Sequence, residues 1–260
     1  MERIEAVGFD LFNTLITVEH HALEHAVERL VRSIQQSGLS MDVERFARDH
    51  RGAARSFLEQ TRIDGRETHN RFWIQQALAR QGVQLDPEDE RIASAVDAYF
   101  SAFQDSVRLI PGTLEMLERL RSTYRLGLLS NFTHPPAAHA ILRTTGLDAF
   151  FEVLAISGDI GYRKPHPTAF RELVRGLGIE SSRILYIGDD PEPDVTGALE
   201  SGLRPVWSTY VRDQGLAFAP GYAHQEGESP RDDVPRISAW RDLIALLEDE
   251  YDAVLPKERP

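Results

Sequence analysis

The 260-residue chain contains no cysteine. Disulfides, thiolate nucleophiles and zinc-thiolate sites are thereby excluded, and a reducing compartment is compatible with the composition. No apolar run is long enough to span a membrane, and the amino terminus passes directly into the largely apolar residues 4–9 without the charged and apolar regions of a signal peptide. The expectation is a cytoplasmic protein with no membrane partner. Positive charge is scarce, with 29 Lys and Arg against 41 Asp and Glu and a formal charge of −12. Phosphate backbones need clustered cations, so nucleic acid is excluded as the main ligand and a small-molecule substrate is expected. Of the two cations lysine is by far the scarcer, at Lys164 and Lys257 alone. An Arg-rich chain that uses Lys at position 164 points to a role for a compact ammonium there.

What is present reads in two parts, at a length that suits an α/β domain with a smaller insertion. Residues 4–9 read as a strand ending on Asp10. Leu23, Ala26, Val27, Leu30, Val31 and Ile34 then recur at helical spacing, and Gly38 stops the run. A second helical stretch passes through Val43, Phe46, Ala47, Ala54, Phe57 and Leu58, and Gly65 and Gly82 bracket a third. Asp86-Pro87 reads as the start of a fourth, a capping side chain followed by proline. Residues 18–106 thus form a helical module without a strand. From Pro111 the pattern alternates, with helices over 113–122, 135–145, 167–176 and 194–201. Strands fall at 126–129, 151–156, 184–187 and 203–207, the last closing the sheet. This predicts a Rossmann-like parallel sheet with helices on both faces. Residues 210–236 read as a long loop, 237–247 as a final amphipathic helix, and the last residues as a frayed tail.

In an open α/β sheet, ligands collect beyond the carboxyl ends of the strands, and Asp10, Ser130 and Asp189 all fall at such ends. Taken singly, each residue is equally a turn former or a helix cap. Their order is more informative. The chain carries Asp10-Leu11-Phe12-Asn13-Thr14-Leu15, Leu129-Ser130-Asn131, Arg163-Lys164-Pro165-His166-Pro167 and Gly188-Asp189-Asp190, followed by Asp194-Val195-Thr196-Gly197-Ala198. This set resembles the haloacid dehalogenase-like hydrolase superfamily over most of the chain.

The resemblance implies a core of residues 1–17 and 107–260, with a helical cap of residues 18–106 over the active site. It implies that Asp10 is the nucleophile, that Ser130 and the amides near Asn131 bind the transferred group, and that Lys164 offsets its charge. Asn131, Phe12 and Thr14 would border the substrate. A Mg²⁺ site is implied at Asp10, Asp189 and the backbone carbonyl of Phe12, all oxygen ligands as a hard cation requires. Asp190 and Asp194 would be outer or alternative ligands, although Asp194 alone is equally read as a helix cap before Val195. One position departs from the pattern. Family phosphatases carry a second Asp two residues after the nucleophile, a general acid and base that contributes ~10²–10⁴-fold, and this chain has Phe12. The first reading is a Mg²⁺-dependent phosphohydrolase limited to good leaving groups, or one borrowing a donor such as His20, His134 or Tyr162. The second is a 2-haloacid dehalogenase-like enzyme, whose relatives carry an aromatic residue there and release a halide that needs no proton. The third is a non-catalytic binding module. The acidic residues after Gly188 place the phosphohydrolase first, and nothing in the sequence specifies the oligomeric state.

Overall fold

The computed structural model describes residues 3–219, 229–230 and 233–254. Its central strand is β1 (Ala6–Phe9), in which all four residues are buried. A parallel strand covered on both faces must be apolar throughout. Val7 and Phe9 enter one core layer and Ala6 the other, following the period of two. At Gly8 a Cβ would lie 2.9 Å from both Leu173 and Tyr186 side chains, so those residues pack against bare backbone.

The chain continues through β2 (Ile16–Val18) into four helices, α1 (Ala22–Gln36), α2 (Val43–Asp64), α3 (Arg71–Ala79) and α4 (Glu90–Ser106). It returns through β3 (Val107–Leu109), which pairs antiparallel with β2. Ala22, Ala26, Leu30 and Ile34 bury one stripe of α1, spaced four residues apart as a helix face requires. The alternating half then runs α5 (Thr113–Arg121), β4 (Arg125–Ser130), α6 (Pro135–Thr145), β5 (Val153–Ile156), α7 (Ser157–Ile160) and α8 (Pro167–Leu177). It ends with β6 (Ile184–Gly188), α9 (Gly197–Glu200), β7 (Arg204–Ser208), α10 (Tyr210–Asp213), β8 (Arg236–Ile237) and α11 (Trp240–Val254). Among the described residues the six-stranded sheet has the order β5-β4-β1-β6-β7-β8, with every neighbouring pair parallel. Because β1 lies between β4 and β6, the segments that follow all three emerge side by side. No described helix is long and apolar enough to cross a membrane.

Several elements differ from the expectation. β2 and β3 flank the helical module, and three residues each are too few to reveal an alternation. The fourth helix begins at Glu90 under Asp89, whose side chain accepts from Arg91 N. Asp86 instead accepts from Glu88 N at 2.9 Å in the preceding turn. β7 does not close the sheet, because β8 pairs outside it. Within the expected long loop, α10 and β8 occupy the two ends, and Ile237 belongs to β8 rather than to the last helix. Residues 220–228 and 231–232 of that loop, and the expected tail from 255 onward, lie outside the described residues.

Candidate active site

Asp10 is 3% exposed, and its N–H donates to Ile187 O at 2.8 Å. The residue after β1 is therefore still held by the neighbouring strand. The chain then turns through Asn13 at φ +60°, a left-handed conformation that Asn adopts more readily than other non-glycine residues. Asn13 Oδ1 accepts from Ala219 N at 2.9 Å, tying this turn to the segment after α10.

Lys164 is the hub. Its Nζ donates to Asp10 Oδ1 at 2.6 Å, Asp194 Oδ1 at 2.6 Å and the Tyr186 hydroxyl at 2.9 Å. An ammonium has three N–H bonds, so all are used. Since the Tyr186 oxygen accepts there, its own hydrogen goes to Leu129 O at 3.1 Å, one residue before Ser130. The Asn131 amide clasps the Lys164 main chain on both sides, accepting from its N–H at 2.8 Å and donating to its carbonyl at 3.0 Å. The Lys164–Pro165 peptide is cis.

The acidic segment folds back on itself. Asp194 Oδ2 accepts from Asp190 N at 3.0 Å. Gly188 permits this, because a Cβ there would lie 2.3 Å from Asp194 Cβ and Cγ. Asp194 N and Val195 N share the Asp190 carbonyl at 3.1 and 3.3 Å, making the wide helical turn Pro191–Thr196, a form that recurs at functional sites. The capping role falls to Asp190, whose Oδ1 accepts from Glu192 N at 3.3 Å. Trp207 Nε1 holds the Asp189 carbonyl at 2.9 Å. Asp10, Asp189 and Asp194 are all buried and each presents an oxygen within 4.8 Å of the other two.

Burial pushes the Asp10 carboxyl up to about 6, with Lys164 opposing and Asp194 adding to the shift. Burial also resists charge on Lys164, but Asp10 and Asp194 outweigh it and hold the ammonium well above its ordinary range. Asp190 is pushed to about 7 by burial and then by Asp194. One cation thus serves two buried carboxylates, Asp10 and Asp194. Asp10 Oδ2 has no hydrogen-bond partner, and the donors are all oxygens, which suits a hard divalent cation such as Mg²⁺.

Ser130 Oγ and Thr14 Oγ1 are likewise buried without a partner. Buried polar atoms without a partner carry a desolvation cost, and these two belong to residues expected to border a bound group. Phe132 N–H is taken by Ser157 Oγ at 2.8 Å, which leaves the loop after β4 one amide fewer to offer. Phe12 is 7% exposed, and its ring stacks on Phe132 with centroids 5.2 Å apart and planes 5° apart. Phe100 of α4 continues the pile, 5.1 Å from Phe132 and 4.8 Å from His134.

Of the alternative proton donors, His134 is committed elsewhere. Arg71 N donates to His69 Nδ1 at 3.1 Å. Neutral His69 therefore carries its proton on Nε2 and gives it to His134 Nδ1 at 3.1 Å. His134 in turn protonates Nε2 and donates to Asp97 Oδ1 at 3.2 Å. Burial keeps His69 near 4 and lowers His134 as well, consistent with this neutral chain. Tyr162 stacks on His166 at 4.3 Å, and His20 is exposed.

The sequence reading overlooked Tyr186, Asn13 and the His69–His134–Asp97 chain. A tyrosine inside an apolar strand was the available signal for the first, because its hydroxyl must find a buried partner.

Comparison with known proteins places these observations. Residues 4–202 match the family described as haloacid dehalogenase-like hydrolase. A glyceraldehyde 3-phosphate phosphatase of Pyrococcus abyssi is 28% identical over 80% of this chain and 82% of that protein. Haloacetate dehalogenase H-2 of Moraxella sp. is 26% identical over 95% of this chain and 100% of that one. The solved 2-haloacid dehalogenase of Pseudomonas syringae pv. Tomato superimposes with a TM-score of 0.71 at 22% identity, over 95% of this chain and 99% of the other, a likeness of fold. With the family match running from β1 past the acidic turn, the chain belongs to the haloacid dehalogenase-like hydrolases.

Proposed function

We propose that this hydrolase is a cytoplasmic, Mg²⁺-dependent phosphohydrolase that cleaves a small phosphate ester through an aspartyl-phosphate on Asp10. The observation that carries this reading is the grouping of Asp10, Asp189 and Asp194 with carboxylate oxygens within 4.8 Å of one another. Displacement of a halide has no use for such a cluster. Phosphatases among the relatives, matching some four-fifths of the chain, point the same way.

In this mechanism Asp10 attacks phosphorus, an Asp–O–P bond forms, and the ester oxygen departs with its electron pair. Water then attacks the same phosphorus, returning the carboxylate and releasing phosphate. Lys164 fixes the Asp10 carboxylate through Oδ1 and balances negative charge as the phosphoryl group transfers. The unpaired Ser130 hydroxyl and the main-chain N–H of Asn131 donate to the equatorial oxygens, while Thr14 and Phe12 border them. Asp10, Asp189 and the Phe12 carbonyl would hold Mg²⁺, which when bound offsets phosphate charge; Asp190 and Asp194 support it from outside.

A second reading, hydrolytic dehalogenation, is favoured by Phe12 and by the match to a haloacetate dehalogenase over 95% of this chain. Assays of 4-nitrophenyl phosphate and a 2-haloacid, each with Mg²⁺ and with excess chelator, decide between them. Mg²⁺-dependent phosphate release is expected. Halide release undiminished by chelator would establish the second reading instead.

A further inference from the structure

The loop between α2 and α3 is one of the places where the helical insertion meets the sheet domain. Gly65 lies in the left-handed region at φ +69°, and a Cβ there would stand 2.5 Å from the His166 ring. Its carbonyl accepts from Arg163 N at 3.0 Å, and Glu67 N donates to Gly161 O at 3.0 Å. Between these two main-chain bonds the Glu67 side chain points inward and is only 3% exposed.

A carboxylate buried to that degree requires partners. Oε2 accepts from Ser157 Oγ at 2.6 Å, Oε1 accepts from Thr68 N at 3.1 Å, and Oε1 lies 3.7 Å from Arg163 Nη1. Ser157 Oγ in turn accepts from Phe132 N at 2.8 Å. The Ser157 hydrogen has a second acceptor in Phe132 O, but at 3.3 Å, so the shorter, charge-assisted bond to Glu67 fixes its direction. A relay therefore runs from Glu67 through Ser157 to the main chain two residues after Ser130. The second arm reaches Arg163, the neighbour of Lys164. Those two loops are already joined by the Asn131 clasp on Lys164.

We infer that Glu67 is a positioning residue: seated on Ser157 and Arg163, it holds the loop bearing Ser130 and Asn131 and the loop bearing Lys164 in reactive register. Productive geometry is thereby made contingent on the insertion being docked. The inference goes beyond the proposed phosphohydrolase reading, since either hydrolytic reaction uses both loops. Small displacements of reacting groups can lower rates by ~10²-fold.

The test compares wild type with Glu67→Ala, Glu67→Gln, Ser157→Ala and the double variant Glu67→Ala/Ser157→Ala. Amide hydrogen exchange over residues 131–134 is followed beside steady-state kinetics with 4-nitrophenyl phosphate. Glu67→Ala is expected to lose protection at Phe132 while protection in α1 and α4 is retained, and to lower kcat about 10–100-fold. Glu67→Gln keeps an acceptor of the same shape for Ser157 and should recover most of the protection and rate. The double variant should be no worse than Glu67→Ala, because both substitutions break one relay. Wild-type protection and rate in both Glu67 variants would overturn the inference, as would effects of Glu67→Ala and Ser157→Ala that multiply. Should Glu67→Ala fail to fold, Glu67→Gln and Ser157→Ala carry the same comparison. The exchange measurement needs no substrate, so failure of the phosphohydrolase reading would be seen separately.

Discussion

Phe12 supplies the sharpest prediction, because under the proposed reading it stands where family phosphatases carry a proton donor. Its ring is 7% exposed and stacked on Phe132, and His134 has both nitrogens committed to His69 and Asp97. A nitrophenolate or carboxylate leaves without a proton at neutral pH, whereas an alkoxide does not. Wild type should therefore hydrolyse aryl or acyl phosphates better than sugar phosphates by a gap approaching ~10²–10⁴-fold, or ~3–5 kcal/mol of barrier. Phe12→Asp should narrow the gap by accelerating the alkyl ester. A new carboxylate near Asp10 raises the chance that one of the pair is protonated, the state a donor needs. Losing a buried ring also costs stability, ~3–5 kcal/mol for truncation, so Phe12→Ala serves as the control with a similar void and no acid. Steady-state rates for one aryl and one alkyl phosphate in the three proteins form the assay. Equal turnover of both esters by wild type, or equal narrowing by Phe12→Ala, would refute the argument.

Asp10→Asn should abolish turnover yet fold normally, since Lys164 retains Asp194 as its counter-ion; full hydrolytic activity in the folded variant would remove the covalent mechanism. Lys164→Met should be both inactive and destabilised by ~3–5 kcal/mol, because two buried carboxylates lose their cation, and urea denaturation measures the loss. His50 gives a pH prediction in the helical insertion. It is 3% exposed among Phe46, Trp73 and Tyr99, and burial followed by Arg51 lowers it from 6.5 to about 4. The unfolded chain then binds the extra proton between those values, so His50's contribution is intact above pH 6.5 and drains as pH falls toward 4, by ~3 kcal/mol in all. Denaturation at pH 7 and pH 5 should show a smaller acid loss for His50→Gln than for wild type; an identical loss would mean that His50 is not held neutral.

The sheet domain was readable because its strands are short apolar runs, each followed by a residue with unusual chemistry. Asp10, Ser130 and Asp189 stand at the ends of neighbouring strands for the reason the alternation suggested, namely that β4, β1 and β6 adjoin. The order of the motifs also singles out Lys164 without any geometry. What escaped were relations between distant residues. That Asp194 pairs with Lys164, thirty positions earlier, and leaves capping to Asp190 depends on a turn that no periodicity encodes. Tyr186 stands inside an apolar strand, and nothing in that pattern tells its hydroxyl's partner. Glu67 and His69 lie in a connection between helices, where polar residues carry no pattern and only the tertiary contact gives them meaning. The strands β2, β3 and β8 are too short for two-residue periodicity to rise above chance.

The pairing of β2 with β3 has a consequence for modularity. Val18 and Val107 are partners across this ribbon, so the 88 residues between them leave and re-enter the sheet domain at one point, with Cα atoms about 5 Å apart by the geometry of such pairs. Chain ends that meet are the condition under which a segment can be exchanged without disturbing its host. The ribbon is therefore a natural splice junction, with one condition attached: a foreign helical module joined at Val18 and Val107 would have to supply its own counterpart of Glu67, which in this chain reaches Ser157 and Arg163 across the junction.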